Sequence, residues 1–213
     1  MRRQRLDWAR LYFVCDAREG RADLEPLLRA ALSGGAGIVQ LREKGAGREA
    51  VRPAGQTFRR LADTYGALFI VNDDPQLAIE LRADGVHLGQ DDLAPGGARD
   101  VLGPEGIIGL STHSPEQLDA AQTAGVDYIS AGPVWETPTK EGRPAAGLEL
   151  IEYAAGHSKL PFFAIGGIDP QNAAEVVAAG APRICVVRAI RDAEDPMAAA
   201  RRLSDAVDPK ARR

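Results

Sequence analysis

The chain has 213 residues, with 26 Lys and Arg against 30 Asp and Glu, and a formal net charge of −4. Hydrophobic residues make up 45% and charged residues 26%, an ordinary globular composition that excludes an intrinsically disordered chain. The mild acidity argues against a general nucleic-acid-binding protein, because neutralising phosphates requires a basic surface.

Membrane and export signals are not apparent in the sequence. No apolar run approaches the roughly 20 residues of a membrane span. The basic start, Met1–Arg5, is not followed by the apolar core of about 7–15 residues that a signal peptide carries. We therefore expect a cytoplasmic protein with no membrane partner. Cys15 and Cys185 lie in apolar segments, and we expect buried free thiols there rather than zinc ligands.

One pattern repeats along the chain: a short apolar segment, a break rich in Gly, Asp or Pro, and a helical stretch rich in Ala, Leu, Arg and Glu. The segments are mostly apolar rather than alternating, as in parallel strands covered on both faces. The predicted strands are Leu11–Cys15, Gly37–Leu41, Leu68–Val71, Gly85–Leu88, Ile107–Ser111, Tyr128–Ala131, Phe162–Ile165 and Ile184–Val187. Helix N-caps are predicted at Asp23, Ser114, Asp169 and Asp195.

Eight strands alternating with about eight helices indicate parallel β-α-β units. Such units form either a closed (β/α)8 barrel or an open, doubly wound sheet. The number eight favours closure, because eight parallel strands enclose an interior that side chains can fill. We predict a single-domain α/β protein, a (β/α)8 TIM barrel over residues 1–213, with frayed ends at residues 1–5 and 208–213.

A basic cluster follows the second strand. In a barrel the chemistry belongs at the carboxyl ends of the strands. Alternation would place Gln40, Arg42 and Lys44 on one side of an extended chain, where they could hold a polyanion. The alternative is a solvated, charged loop.

Acidic residues follow the third and fourth strands. Asp74 precedes Pro75 and is assigned as a helix cap, which leaves Asp73 for a metal, with Asp91 and Asp92 following the neighbouring strand. Mg²⁺ typically takes one or two carboxylates together with substrate phosphates. These carboxylates and the basic cluster would be explained together if a metal-bound pyrophosphate lay between them.

Further candidate groups lie in or after strands four to eight. His87 and His113 are acid or base candidates, although buried or capping histidines are favoured because neither has an evident partner. The long loop 132–142 could close over an anion. Glycines at 166 and 167, with Val187 and Arg188 after the last strand, occupy the usual phosphate site of barrels.

Taken together, these segments resemble the thiamine-phosphate synthase (thiamine-phosphate pyrophosphorylase) family. The segments are GIVQLREK (37–44), VNDD (71–74), ADGVHLGQDDL (83–93), GLSTH (109–113), YISAGPVWETPTKEG (128–142) and FAIGGI (163–168). The resemblance implies a (β/α)8 fold and a Mg²⁺-dependent transferase of thiamine biosynthesis. Its substrates would be 4-amino-2-methyl-5-hydroxymethylpyrimidine diphosphate and thiazole phosphate, and its products thiamine phosphate and pyrophosphate.

The resemblance also implies residue roles. Asp73 and Asp92 match the Mg²⁺ ligands, and Arg42, Lys44 and Lys140 would stabilise the departing pyrophosphate. The positions that match the pyrimidine diphosphate site are Gln40, Arg42, Lys44, Asn72, Ser111 and Lys140. Those that match the thiazole phosphate site are Thr137, Thr139, Gly167, Val187 and Arg188. Leu41, Glu43 and Pro138, within the same segments, are also expected to contact substrate.

One position departs from the family pattern, because members often have Ser where this chain has Arg188. The guanidinium could pair with the phosphate, or it could point away and leave backbone N–H groups to bind it.

Two other functions compete with the synthase. A thiazole tautomerase on a related barrel would lack the complete pyrophosphate set, and a non-catalytic sensor of a phosphate ligand would not need the metal carboxylates. The presence of QLREK, both acidic strand ends and TPTK favours the synthase.

Overall fold

The fold is a closed barrel of eight parallel strands. The computed structural model describes residues 1–18, 22–137 and 144–208. The strands are β1 (Leu11–Cys15), β2 (Ala36–Leu41), β3 (Leu68–Asn72), β4 (Gly85–Leu88), β5 (Ile107–Thr112), β6 (Tyr128–Ala131), β7 (Phe162–Ile165) and β8 (Ile184–Val186). Consecutive strands pair in order, and β1 pairs with β8, aligning Leu11 with Ile184. This confirms the predicted (β/α)8 barrel and excludes the open sheet.

The strand bounds follow the sequence closely. Four strands have their predicted limits, and each of the other four differs by one residue at one end. The helices are α1 (Arg2–Trp8), α2 (Leu24–Ser33), α3 (Arg48–Tyr65), α4 (Pro75–Glu80), α5 (Pro95–Leu102), α6 (Pro115–Ala121), α7 (Gly147–His157), α8 (Ala173–Ala178), α9 (Arg188–Arg191) and α10 (Pro196–Ala206). Among the described residues, no helix is long and apolar enough to cross a membrane.

Predicted caps are confirmed where the side chain reaches the first turn. Ser114 accepts a hydrogen bond from the Gln117 backbone N–H, and Asp195 accepts one from that of Ala198. The predicted N-cap position at Asp23 is confirmed, since α2 begins at Leu24, but its side chain makes no capping bond and instead binds the guanidinium of Arg18. The predicted cap at Asp169 is wrong. Asp169 accepts from the backbone N–H groups of residues 171 and 172, in a turn, and α8 begins only at residue 173.

The amino-terminal segment is helical, so the prediction that residues 1–5 fray is wrong for α1. Leu6 is buried against the residues that fill the barrel interior. Arg2 and Arg5 form ion pairs with the buried carboxylate of Asp84, which precedes β4. These contacts hold α1 across the amino-terminal mouth of the barrel. Of the carboxyl-terminal stretch predicted to fray, residues 209–213 lie outside the described residues.

The apolar core has two layers, which explains the continuous hydrophobicity of the strands. In β1, the side chains of Tyr12 and Val14 belong to the layer inside the barrel. Leu11, Phe13 and Cys15 belong to the layer between the sheet and the helices. Because both faces of each strand are buried, polar residues concentrate at the strand ends, where the site lies.

Candidate active site

A cavity of about 330 Å³ is lined by residues at the carboxyl ends of the strands and the loops that follow them. Because the strands are parallel and closed into a ring, residues far apart in sequence meet at this mouth. The sequence-predicted residues that line it are Gln40, Arg42, Asn72, Ser111, Thr137, Gly167, Val187 and Arg188. The predicted substrate site is therefore largely assembled around one opening.

Three described residues that were predicted to contact substrate, Leu41, Glu43 and Lys44, do not line the cavity. Leu41 packs its side chain into the apolar layer outside the barrel. Glu43 accepts hydrogen bonds from the backbone N–H groups of Ala17 (2.9 Å) and Lys44 (3.2 Å), so it joins the loops after β1 and β2. Lys44 is exposed, because β2 ends at Leu41 and the predicted alternation does not continue to it. The predicted residues Pro138, Thr139 and Lys140 lie outside the described residues.

The two predicted metal ligands meet beside this cavity. Burial raises the pKa of Asp73 to about 6, and a hydrogen bond with Asp92 and the negative charge of Asp92 add to this effect. The positive charges of Lys44 and Arg42 act in the opposite direction. Asp73 has a left-handed backbone conformation, with φ of 64°, and its N–H donates to the carbonyl of His87 at 2.8 Å. One oxygen of Asp92 accepts from the Gly89 N–H at 2.6 Å.

The neighbouring Asp74 has the structural role expected of it. It caps α4 by accepting from the Leu77 N–H, and it pairs with Arg48 at 2.6 Å. No group of three or more His, Cys, Asp or Glu side chains that could hold a metal ion occurs among residues 1–18, 22–137 and 144–208. A metal at Asp73 and Asp92 would thus need further ligands from substrate or water.

A buried set of hydrogen bonds crosses the barrel interior at the bottom of the cavity. The Gln40 amide nitrogen donates to the Tyr12 hydroxyl at 2.5 Å, and the hydroxyls of Tyr12 and Tyr128 are 2.9 Å apart. Tyr128 Oη lies 3.0 Å from His87 Nδ1, and His87 Nε2 lies 3.0 Å from Ser111 Oγ. We call these five residues the interior network.

Sequence reasoning missed part of this network. The sequence pattern identifies both tyrosines only as residues of apolar strands, although a phenol at an inward position of a strand needs a partner for its hydroxyl. The expectation of a buried histidine is confirmed at His87, which is 8% exposed. His113 also lines the cavity, with Nδ1 2.5 Å from the carbonyl oxygen of Gly132.

At the β8 side of the cavity, the Arg188 guanidinium is partly restrained by a carboxylate. Its Nε donates to Asp192 Oδ2 at 3.3 Å, and its side chain is 52% exposed. Across from it, Gly166 and Gly167 have φ of 103° and 69°, and a Cβ at either would collide with Pro133 or Trp135. The backbone there can approach a ligand closely because no side chain intervenes.

A (β/α)8 barrel whose strand ends bring an Arg, an amide, hydroxyls and a pair of glycines to one mouth defines a barrel enzyme that handles phosphorylated substrates. The model of the family described as thiamine monophosphate synthase matches residues 11–190, and the chain belongs to that family. It is an enzyme of thiamine biosynthesis, of the alkyl-transferase type.

Relatives of this family are similar over nearly the whole chain. Thiamine-phosphate synthase from Thermobifida fusca is 51% identical over 203 residues, covering 94% of this chain and 93% of the relative. That from Acidothermus cellulolyticus is 50% identical, with 90% and 92% covered. The structure of thiamine phosphate pyrophosphorylase from Pyrococcus furiosus superposes with a TM-score of 0.85 at 36% identity, covering 96% of each chain. The resemblance seen in the sequence is confirmed.

Proposed function

We propose that the chain joins 4-amino-2-methyl-5-hydroxymethylpyrimidine diphosphate to thiazole phosphate in a Mg²⁺-dependent reaction, yielding thiamine phosphate and pyrophosphate. The observation that carries the proposal is the convergence of eight residues, predicted from the sequence, on one cavity at the strand ends. The family supports the same reaction, and so do the paired carboxylates of Asp73 and Asp92, which we call the acidic pair.

Two groups of residues divide the cavity between the substrates. Gln40, Arg42, Asn72 and Ser111, from β2, β3 and β5, would hold the pyrimidine diphosphate, with the Arg42 guanidinium matching a phosphate by its planar set of donors. On the β7 and β8 side, the Gly167 backbone and Arg188 would hold the thiazole phosphate. Thr137 and Val187 line the cavity as well and would contact the same phosphate. For Thr139 and Lys140, which lie outside the described residues, the family resemblance supports binding of the thiazole phosphate and of the diphosphate, respectively.

The acidic pair fits Mg²⁺. Two carboxylates that share a hydrogen bond repel each other once both are ionised, and a divalent cation relieves that repulsion. Their hard oxygens are the ligands that Mg²⁺ prefers, and a two-carboxylate site leaves positions for substrate phosphate oxygens. Asp73 and Asp92 would hold the ion, which when bound neutralises charge on the diphosphate.

The reaction needs the protein to stabilise the negative charge of the departing pyrophosphate, and it needs no nucleophilic side chain. The bond from the pyrimidine methylene carbon to the diphosphate oxygen breaks, and its electron pair leaves with pyrophosphate. The aminopyrimidine spreads the resulting positive charge, and the lone pair of the thiazole nitrogen forms the new carbon–nitrogen bond. Arg42, Lys44 and Lys140 stabilise the charge that grows on the leaving group, and the cavity walls align the two substrates.

The deciding experiment mixes the purified chain with both substrates and Mg²⁺ and measures pyrophosphate and thiamine phosphate. We expect both products in equal amounts, and neither when one substrate is omitted or the metal is chelated. Conversion of a thiazole isomer without the pyrimidine substrate would instead indicate a tautomerase. Binding of thiazole phosphate with no turnover of the pair would indicate a sensor.

A further inference from the structure

The interior network runs from Gln40 to Ser111 along the bottom of the cavity. Gln40, Tyr12, His87 and Ser111 all line the cavity, and Tyr128, which does not line it, joins Tyr12 to His87. All five residues are buried, none being more than 8% exposed. Hydrogen bonds in such surroundings are costly to leave unmade, so the donors and acceptors along the network must match.

One end of the network determines the direction of its hydrogen bonds. An amide nitrogen can only donate, so the Tyr12 oxygen accepts from Gln40 and the Tyr12 proton is available to Tyr128. Burial raises the pKa of both phenols well above 10, so each hydroxyl keeps its single proton. The Tyr128 proton in turn is available to Nδ1 of His87.

The His87 ring carries the same donor-to-acceptor order on to Ser111. A neutral imidazole that accepts at Nδ1 carries its proton at Nε2. That N–H points at Ser111 Oγ, 3.0 Å away, with Ser130 Oγ at 3.4 Å. Because Ser111 accepts this hydrogen bond, its own proton is left for a group in the cavity. At the other end, Gln40 commits an amide hydrogen to Tyr12 and offers its carbonyl oxygen.

We propose that the interior network fixes Ser111 as a hydrogen-bond donor to the bound heterocycle, with Tyr128 and His87 as positioning residues that impose this direction. Gln40 is correspondingly fixed as an acceptor. The cavity wall is thereby matched to a ring that carries both an acceptor nitrogen and an amino group, which is the pattern of an aminopyrimidine. The identity of that ligand rests on the proposed function.

The first test breaks the network at its centre. Tyr128→Phe removes one hydroxyl, leaving the His87 tautomer and the Ser111 proton without a fixed direction. We expect KM for the pyrimidine diphosphate to rise about tenfold, the loss of one matched hydrogen bond, with KM for thiazole phosphate changed less than about twofold. Tyr153→Phe is the matched control, because its hydroxyl donates to Asp119 on the surface, and we expect both KM values to stay unchanged.

Two kinetic outcomes would overturn the proposal. One is an unchanged KM for the pyrimidine diphosphate in Tyr128→Phe. The other is an equal rise of both KM values, which would mean that the hydroxyl only supports the barrel. If the wild-type chain releases no pyrophosphate from the two substrates, it is the proposed function that fails, and the tautomer measurement below still decides the direction of the network.

The second test reads the tautomer of His87 directly in the wild-type chain and needs a variant only to assign its signal. In ¹⁵N-edited NMR of the full chain, the imidazole signal of His87 should show a proton on Nε2 and none on Nδ1. The chain has three histidines, and loss of the signal in His87→Gln assigns it. A proton on Nδ1, or on both nitrogens, would reverse or break the direction and overturn the proposal.

Discussion

At the scale of single residues, the acidic pair shows how sequence neighbours acquire different tasks. Asp73 and Asp74 are adjacent, yet one meets Asp92 beside the cavity and the other caps a helix and pairs with Arg48. The left-handed backbone at Asp73 accompanies this difference. Asp91 and Asp92 likewise follow β4 together, and only Asp92 forms the pair.

Replacing Asp92 with Asn should therefore abolish most metal-dependent turnover. We expect kcat/KM with Mg²⁺ to fall about 100-fold or more, because one of the two proposed protein ligands would lose its charge. Asp91→Asn makes the same chemical change one residue away and should alter kcat/KM less than about twofold. Steady-state pyrophosphate release measures both, and equal activity of the two variants would remove Asp92 from the metal site.

The proposed thiazole phosphate could be held by the Arg188 side chain or by backbone N–H groups, and a substitution at Arg188 distinguishes the two. Arg188→Ser should raise the Kd for thiazole phosphate about tenfold in titration calorimetry, because it removes a charged donor from the cavity wall. Arg191→Ser is the control, since Arg191 also pairs with Asp192 but is not among the residues that line the cavity. It should change Kd less than about threefold. An unchanged Kd in Arg188→Ser would assign the phosphate to backbone N–H groups instead.

At the scale of elements, α1 is joined to the barrel by a buried carboxylate. Asp84 is 4% exposed at its side chain and binds Arg2, Arg5 and Arg59, and it also accepts from the Phe69 backbone N–H at 2.9 Å. This one residue therefore connects α1, α3 and the start of β3. Its stabilising effect depends on burial, which lowers the screening that weakens surface ion pairs.

Asp84→Asn should consequently lower the free energy of unfolding by about 3 kcal/mol, the cost of breaking a buried pair from one side. Asp63→Asn removes another carboxylate bound to Arg59, but one that is 66% exposed, and should cost less than about 1 kcal/mol. Urea unfolding followed by circular dichroism compares the two. Equal losses would show that burial of Asp84 adds nothing.

At the scale of the whole molecule, the two-layer core encloses the thiol of Cys15. Both cysteines are buried thiols, as the sequence predicts, and burial raises the pKa of Cys15 to about 12. Since the thiolate is the reactive form, Cys15 should resist iodoacetamide at pH 8 in the native protein. In urea its pKa returns toward about 8.5, and it should be alkylated readily. Peptide mass mapping measures this, and fast native labelling would contradict a closed core.

A feature could be predicted from the sequence when it depends on residues that are close together in the chain, and less well when it depends on residues that are far apart. Apolar runs such as Phe162–Ile165 and caps such as Ser114 depend on neighbouring residues, and their predictions are confirmed. Eight such runs in order led to the closed barrel. The predicted roles of the site residues stay predictions, although eight of those residues share one cavity.

By itself, then, the sequence determined the strands, their order, the closed barrel and the family, since each follows from local pattern or from motifs in order. Only the tertiary structure decided that Lys44 is exposed rather than part of the cavity wall, that α1 is held by Asp84 and that the interior network exists. Tyr12 and Tyr128 are 116 residues apart, and their contact forms only when β1 and β6 are brought together by closure of the ring. Such contacts leave no periodic signal in the sequence, because each partner by itself resembles an ordinary buried strand residue.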